Sequence, residues 1–190
     1  MTSLELWQLY DEQGRPIPGE GDTKDNVFGK ALLHGASHVW IWRRTPNGIE
    51  LLLQRRASTK RTWPGRLDIS AAGHIDLGEN PLTAALREIT EEIGINVDPR
   101  DLQCIGSLRT RYVAPDKSFT ENEFRFLYLL QATGEMSFAL ADGEVDGLEW
   151  KALRAIKQET AHDANGEDYV PHGHAYFGLL FEALENLPPQ

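Results

Sequence analysis

The sequence contains little cysteine and is short of cationic side chains. Its one cysteine, Cys104, has no partner for an internal disulfide, which fits a reducing compartment. The surrounding stretch LQCIGSL is strand-like, and because free cysteines are usually buried we expect Cys104 in the core. The 19 Lys and Arg are outnumbered by 29 Asp and Glu, which gives a net charge of −10. Nucleic acid polymers and anionic membranes bind clustered cations, so neither is expected as the main partner.

Long hydrophobic runs are also missing. The longest uncharged segment near the N-terminus, ALLHGASHVWIW, is too short to cross a bilayer, and MTSLELWQLYDEQG lacks the pattern of a secretory signal. A cytoplasmic protein is therefore the expectation. With 41% hydrophobic and 25% charged residues, the sequence has an ordinary globular composition. We expect one domain over residues 1–190, in which residues 1–30 add an N-terminal strand and a loop.

The chain mixes strand-like segments with a few helix-like ones. A loop is expected over DEQGRPIPGEG, and helices are expected over KALRAIKQE and AYFGLLFEALEN. Alternation and β-branched or aromatic content predict strands in seven segments: LELWQLY, VFGKALLHGASHVWIWRR, IELLLQRR, LDISAAGH, LQCIGSLRTRYV, ENEFRFLYLLQAT and VDGLEW. This order favours one α/β sandwich with a mixed sheet.

The clearest helix lies within GHIDLGENPLTAALREITEEIGI, residues 73–95. Asn80 is a good N-cap, Pro81 suits the first helical position, and Gly94 suits the left-handed residue after the last turn. A helix is therefore predicted from about Pro81 to Ile93. Its apolar residues recur at spacings of three and four and should pack on a sheet: Leu82, Leu86, Ile89 and Ile93.

The same stretch holds five carboxylates and only Arg87 as an internal counter-charge. Three of them, Glu88, Glu91 and Glu92, lie at i, i+3 and i+4, so they converge on one helix face where like charges repel. Mg²⁺ and Mn²⁺ prefer carboxylate and carbonyl oxygens, and Mg²⁺ often shares its ligands with substrate phosphates. Acidic helix faces are commonly just solvated, so this spacing alone is a weak indication of a metal site.

The whole stretch resembles the signature of the Nudix hydrolases at nine specified positions: Gly73, Glu79, Arg87, Glu88, Ile89, Glu91, Glu92, Gly94 and Ile95. The resemblance implies a Nudix α/β/α sandwich with a mixed β-sheet, in which this box at residues 73–95 binds Mg²⁺ or Mn²⁺ and water attacks a diphosphate linkage. By the resemblance, the metal ligands are Glu88, Glu91, Glu92 and the carbonyl of Ala72. Arg87 would orient the carboxylates, Glu79 would shape the loop, and Glu92 or a carboxylate outside the box, such as Glu123, would remove the proton.

Flanking segments resemble type I isopentenyl-diphosphate isomerases and their hydrolase relatives: LLHGASHVWIW, QRRASTKRTWPG, SAAGHIDLGE and ENEFRF. Four residues match positions that bind metal or move protons in the isomerases: His34, His74, Glu121 and Glu123. However, Ala72 stands where an isomerase has its acid–base cysteine, and Val27 where it has a further histidine. Because a methyl group cannot transfer a proton, the resemblance favours hydrolysis over isomerisation.

Several roles stay open. Glu121 and Glu123 would share one strand face, where they extend the metal site or lie at an exposed edge. The two matching histidines either meet phosphate or metal, or are structural. Arg56 and Lys60 match diphosphate-contacting residues and are expected to clamp substrate phosphates, unless they are solvated strand-end charges. Trp63 is expected to pack its loop, and the alternative is that it lines the pocket. Three further histidines show no ligand spacing: His162, His172 and His174.

The sequence does not name the substrate. The expected partner is a small-molecule diphosphate, with a nucleoside di- or triphosphate derivative slightly ahead of an isoprenoid diphosphate of isopentenyl or geranyl type. An isomerase and a non-catalytic Nudix binding module are weaker alternatives, the latter because every box position is intact. A homodimer is compatible with the resemblance, but the sequence does not fix the oligomeric state.

Overall fold

The computed structural model describes residues 5–60, 62–116, 118–134, 136–161 and 168–188, so His162 lies outside the described residues. The strands are β1 Trp7–Tyr10, β2 Pro16–Asp22, β3 His34–Thr45, β4 Gly48–Arg56, β5 Leu67–Asp68, β6 Ala71–His74, β7 Leu102–Val113, β8 Thr120–Gln131 and β9 Val145–Ala152. The helices are α1 Lys24–Lys30, α2 Pro81–Ile93, α3 Leu153–Ala161 and α4 His174–Glu185. None of these helices is both long enough and apolar enough to span a membrane.

Strand β3 is the centre of the sheet. One side of β3 pairs in parallel with β8, and the other side pairs antiparallel with β6 and then with β4. Strand β7 continues the sheet beyond β8, while β5 and β9 both pair with β4. The register places His34 opposite Glu123 and Ala36 opposite His74, so residues distant in sequence meet where β3 begins.

Alternation along the strands produces an apolar layer on each face of the sheet. On β3, Val39 and Ile41 pack toward α2, whereas Trp40 and Trp42 belong to the layer that contains α3 and α4. Helices on both faces of a mixed sheet form the α/β/α sandwich that the sequence predicts.

Helix α2 has the bounds that the capping residues predict. The Asn80 side chain accepts a hydrogen bond from the Thr83 amide at 3.0 Å, and Gly94 ends the helix with φ 72°. Ile89 and Ile93 are fully buried against the sheet, and each contributes about 1.5–3 kcal/mol of burial free energy. This packing fixes which face of α2 carries its glutamates.

Three local predictions are wrong. The expected loop after β1 contains β2, an edge strand that pairs only with β1 among the described residues, where proline is tolerated. The segment expected to begin the next strand is helix α1, which ends at Ala31 in the left-handed region. Cys104 is exposed, because β7 lies at the edge of the sheet and a bulge between Cys104 and Gly106 interrupts its alternation.

Candidate active site

A cavity of about 590 Å³ lies beside α2, at the ends of β3, β6 and β8. Its lining contains every residue that the sequence nominated as a metal ligand, catalytic group or substrate contact except His34: Ala72, Arg56, Lys60, His74, Arg87, Glu88, Glu91, Glu92, Glu121 and Glu123. His34 is fully buried beside the lining, with its Nε2 atom 3.6 Å from Oε1 of Glu123. The fold therefore gathers the nominated residues around one space.

Arg87 connects three glutamates of the box. Its guanidinium donates to both carboxylate oxygens of Glu79, to Glu88 at 2.7 Å and to Glu91 at 3.1 Å. It also donates to the carbonyl of His74 at 2.8 Å, which attaches the helix to the end of β6. Burial would lower the pKa of Arg87, but the hydrogen bonds and charges of Glu79 and Glu88 outweigh burial and raise it.

Glu88 lies directly over the backbone of Gly73. A Cβ atom at position 73 would come within 2.0 Å of the Glu88 carboxylate, so a larger residue there would displace it. Burial raises the pKa of Glu88, and Arg87 opposes that shift. The glycine of the box is therefore required by the close approach of this carboxylate to β6.

Glu92 is held by different groups. Its Oε2 atom accepts hydrogen bonds from the Ala72 amide at 3.0 Å and from Nε2 of Gln54 at 3.1 Å. Burial raises the pKa of Glu92 to about 7, although the Ala72 amide lowers it. Sequence reasoning nominated the carbonyl of Ala72 and missed both its amide and Gln54.

His34, His74 and Glu123 form a compact group whose potential ligand atoms lie within 4.8 Å of one another. Nδ1 of His34 is 3.0 Å from the carbonyl of Leu32, which can only accept, so the neutral imidazole carries its proton on Nδ1. Its buried Nε2 then has a lone pair and no hydrogen-bond partner among the described residues. Such an orphaned acceptor beside a carboxylate fits a cation ligand.

The surroundings of His74 and Glu123 favour the neutral imidazole and the ionised carboxylate, which are the forms that bind a cation. Burial lowers the pKa of His74 to about 4, despite its hydrogen bond with Glu123. Burial opposes ionisation of Glu123, but the charge of Arg125 holds the pKa of Glu123 well below its usual range. Trp7, which sequence reasoning missed, stacks on the ring of His74 with centroids 3.5 Å apart and so covers the group.

A buried chain of polar side chains crosses the cavity floor. Arg125 donates to Glu123 at 2.6 Å and lies 3.0 Å from Nδ1 of His172, whose Nε2 lies 2.8 Å from Asp68. Arginine can only donate, so Nδ1 of His172 accepts and its Nε2 proton points to Asp68. Asp68 also accepts a hydrogen bond from the Arg56 guanidinium at 3.0 Å. Spacing did not reveal His172, because its partners lie on β5 and β8.

The two cationic side chains that the sequence nominated, Arg56 and Lys60, differ in the contacts that they already make. The Arg56 guanidinium donates to the carbonyl of Thr62 as well as to Asp68, so it already anchors the loop after β4. Lys60 forms an ion pair with Glu144, and burial lowers its pKa. Lys24 on α1, which the sequence did not single out, adds a further cationic side chain to the lining.

The remaining nominated residues also border the cavity. Glu121 is 3.7 Å from Arg125, and burial raises its pKa to about 7. Its strand β8 lies between β3 and β7, so Glu121 and Glu123 do not lie at an exposed sheet edge. Trp63 lines the cavity with φ 53° and packs edge-on against Tyr112, with ring centroids 5.0 Å apart.

Known proteins resemble the chain in sequence and in fold. The NUDIX domain family model matches residues 34–172. Nudix hydrolase 3 of Arabidopsis thaliana is 34% identical over 172 residues, covering 87% of this chain but only 22% of that protein. An isopentenyl-diphosphate Delta-isomerase of Corynebacterium diphtheriae is 32% identical over 155 residues, covering 79% of this chain and 80% of the isomerase.

Among solved structures, DR0079 from Deinococcus radiodurans aligns with a TM-score of 0.66 at 17% identity, covering 93% of this chain and 98% of that one. This likeness concerns the fold, whereas the family follows from the domain match and from the isomerase relative. The chain therefore belongs to the Nudix hydrolase family, in the branch that resembles type I isopentenyl-diphosphate isomerases.

Proposed function

We propose that the chain is a divalent-metal-dependent diphosphatase that cleaves the diphosphate linkage of a small nucleoside di- or triphosphate derivative by attack of water. The observation that carries this proposal is the composition of the cavity lining, which includes Glu88, Glu91 and Glu92 together with Lys24 and Lys60. Carboxylates suit a hard cation and lysines suit phosphate, so the cavity contains both requirements of the reaction.

Two groups of residues would hold Mg²⁺ or Mn²⁺. The first is the set of box glutamates with the carbonyl of Ala72, and the second is Glu121 and Glu123 with the adjacent histidines. The hard carboxylate oxygens of both groups fit such cations. The orphaned Nε2 of His34 in the second group adds a nitrogen donor, which suits Mn²⁺ better than Mg²⁺. When bound, the ions polarise phosphate oxygens and lower the pKa of water.

The side chains of this chain perform the other tasks. Arg87 fixes Glu88 and Glu91 close together against their mutual repulsion. Lys60 and Lys24 would pair with the substrate phosphates, while Arg56 would hold the loop that carries Lys60. Glu92 is the preferred proton acceptor, because burial raises its pKa to about 7 in the metal-free protein, which suits proton transfer near neutral pH. Glu123 is a weaker base, because Arg125 holds its pKa low.

One observation favours a second candidate, a phosphohydrolase of isoprenoid diphosphates. The isomerase relative from Corynebacterium diphtheriae is named for an isoprenoid diphosphate and aligns over most of both chains. Isomerisation itself is disfavoured in this chain, because Ala72, a residue of the cavity lining, stands where the isomerases have their acid–base cysteine and has no group that transfers a proton.

The test is a Mg²⁺ assay over nucleotides, nucleotide sugars, dinucleotides and prenyl diphosphates with a colorimetric phosphate readout. A phosphatase-coupled arm reports cleavage that leaves a monophosphate. Metal-dependent cleavage of nucleotide compounds is expected, whereas cleavage of prenyl diphosphates alone would select the second candidate. Formation of dimethylallyl diphosphate from isopentenyl diphosphate without phosphate release would establish an isomerase. No metal-dependent turnover of any compound would indicate a binding module.

A further inference from the structure

Gln54 is a buried glutamine on β4 that reaches the acidic helix. Strand β4 alternates, so Gln54 faces the same side of the sheet as Leu52, which packs in the layer beneath α2. Only 2% of Gln54 is exposed, and its Nε2 donates to Oε2 of Glu92 at 3.1 Å. A glutamine oxygen in that position would repel the carboxylate, so the hydrogen bond fixes the orientation of the amide.

The contacts of Glu92 leave one of its two oxygens available. Oε2 accepts hydrogen bonds from the Gln54 side chain on β4 and from the Ala72 backbone amide on β6. Two donors satisfy the two in-plane lone pairs of a carboxylate oxygen. Since Glu92 lines the cavity, Oε1 is the oxygen that remains for a cation or a water molecule.

The donors to Glu92 are neutral, unlike those of its neighbours. Arg87 forms ion pairs with Glu79, Glu88 and Glu91, and its positive charge compensates part of their negative charge. The Gln54 amide and the Ala72 amide orient Glu92 without adding a positive charge. Glu92 thus keeps its full negative charge when ionised while its geometry is held from two strands.

We propose that Gln54 is a positioning residue for the reaction, which holds the Glu92 carboxylate so that Oε1 alone faces the cavity. This inference rests on the proposed function, since it assigns Glu92 to the reacting site. It extends the site beyond the box to a residue of β4 with no carboxylate, imidazole or cationic group of its own.

Two substitutions at position 54 test the inference. Gln54→Met keeps length and burial but removes the donor, and Gln54→Glu keeps shape but replaces the donor with a second acceptor. For Gln54→Met we expect kcat to fall about 10- to 100-fold, KM to change less than about twofold, and Mn²⁺ affinity to fall by a similar factor to kcat. In Gln54→Glu, kcat and Mn²⁺ affinity should fall further than in Gln54→Met, because two carboxylates then face each other.

The readouts are steady-state kinetics, Mn²⁺ binding by electron paramagnetic resonance without substrate, and unfolding temperature without metal. Gln103→Met, at an exposed glutamine on β7, is the matched control and should behave as wild type. We expect the metal-free unfolding temperature of Gln54→Met to stay within about 4 °C of wild type.

The inference is overturned if Gln54→Met keeps wild-type kcat and Mn²⁺ affinity, or if its activity falls only in proportion to a collapse in unfolding temperature. Failure of the proposed function is a different result, since the wild-type chain would then hydrolyse nothing in the substrate panel. In that case Mn²⁺ binding still decides whether Gln54 positions Glu92: weaker binding by Gln54→Met supports the inference, and unchanged binding overturns it.

Discussion

Two groups of residues at the cavity, each containing carboxylates, are built differently. We call Glu88, Glu91 and Glu92 on α2 the helix cluster. The strand cluster is assembled from β3, β6 and β8: His34, His74, Glu121 and Glu123. The helix cluster follows from the geometry of one helix, whereas the strand cluster exists only because parallel pairing brings the start of β3 beside β8.

Their environments differ as much as their origins. In the helix cluster, 59% of the Glu91 side chain is exposed, and Arg87 holds two of the three carboxylates. In the strand cluster His34 is fully buried, and Arg125 pairs with Glu123 from within the sheet. The helix cluster therefore reaches solvent through Glu91, whereas the charges of the strand cluster face one another in a buried site.

The largest expected effect is a loss of turnover from the helix cluster. Glu92→Gln should lower kcat about 10²- to 10⁴-fold, because the amide neither accepts a proton nor ligates a cation as a carboxylate does. Burial raises the Glu92 pKa from 4.5 to about 7, so ionised Glu92 costs stability above neutral pH. The metal-free unfolding temperature of Glu92→Gln should therefore equal or exceed that of wild type.

Phosphate release with Mg²⁺ measures this prediction, and thermal unfolding followed by circular dichroism measures the fold. Glu182→Gln, at an exposed glutamate of α4, serves as the control. Glu91→Gln should lose activity in the same direction. Full Mg²⁺-dependent activity in Glu92→Gln would refute the role assigned to the helix cluster.

A substitution in the strand cluster should lower the stability of the folded protein. Glu123→Gln removes the charge that pairs with the buried Arg125 at 2.6 Å. Among the described residues, that guanidinium then keeps Glu121, 3.7 Å away, as its one carboxylate neighbour. Breaking a buried ion pair from one side costs about 3–5 kcal/mol, so the free energy of unfolding should fall by that order. Urea denaturation at pH 7 measures it. A variant as stable as wild type would show that the strand cluster is not held together by its charges.

Prediction from the sequence worked unevenly across these two regions. The bounds of α2 and the shared face of its glutamates follow from caps and a 3.6-residue period, which are local properties. His172, Trp7 and Gln54 could not be assigned roles in the same way, because their partners are fixed by strand register and by segments distant in sequence. The exposure of Cys104 was missed for a related reason, since residue type indicates burial but not which strand ends the sheet.

The pH dependence of metal binding should distinguish the two clusters further. Glu92 and Glu121 both have a pKa raised to about 7, mainly by burial, so each must lose a proton before it can ligate a cation at lower pH. Mn²⁺ affinity should therefore rise from pH 6 to pH 8, by up to about tenfold per unit below pH 7 for each carboxylate involved. Electron paramagnetic resonance titrations of wild type and Glu92→Gln measure this dependence. If Mn²⁺ affinity in Glu92→Gln rose with pH as steeply as in wild type, the pH dependence would come from the strand cluster.

The smallest effect is expected at Asp76, a carboxylate of residues 73–95 that, unlike Glu79, Glu88 and Glu91, accepts no hydrogen bond from Arg87, which lies 4.0 Å away. Its side chain is 45% exposed, and it is absent from the cavity lining among the described residues. Exposed pairs at such distances contribute about 0–1 kcal/mol, so Asp76→Asn should change kcat less than about twofold and stability by about 0.5 kcal/mol or less. Parallel kinetics of Asp76→Asn and Glu91→Gln compare two exposed carboxylates of one stretch that differ in their contact with Arg87 and the cavity. A loss at Asp76 comparable with that at Glu91 would mean that acidic charge in general, rather than the geometry of the helix cluster, supports the reaction.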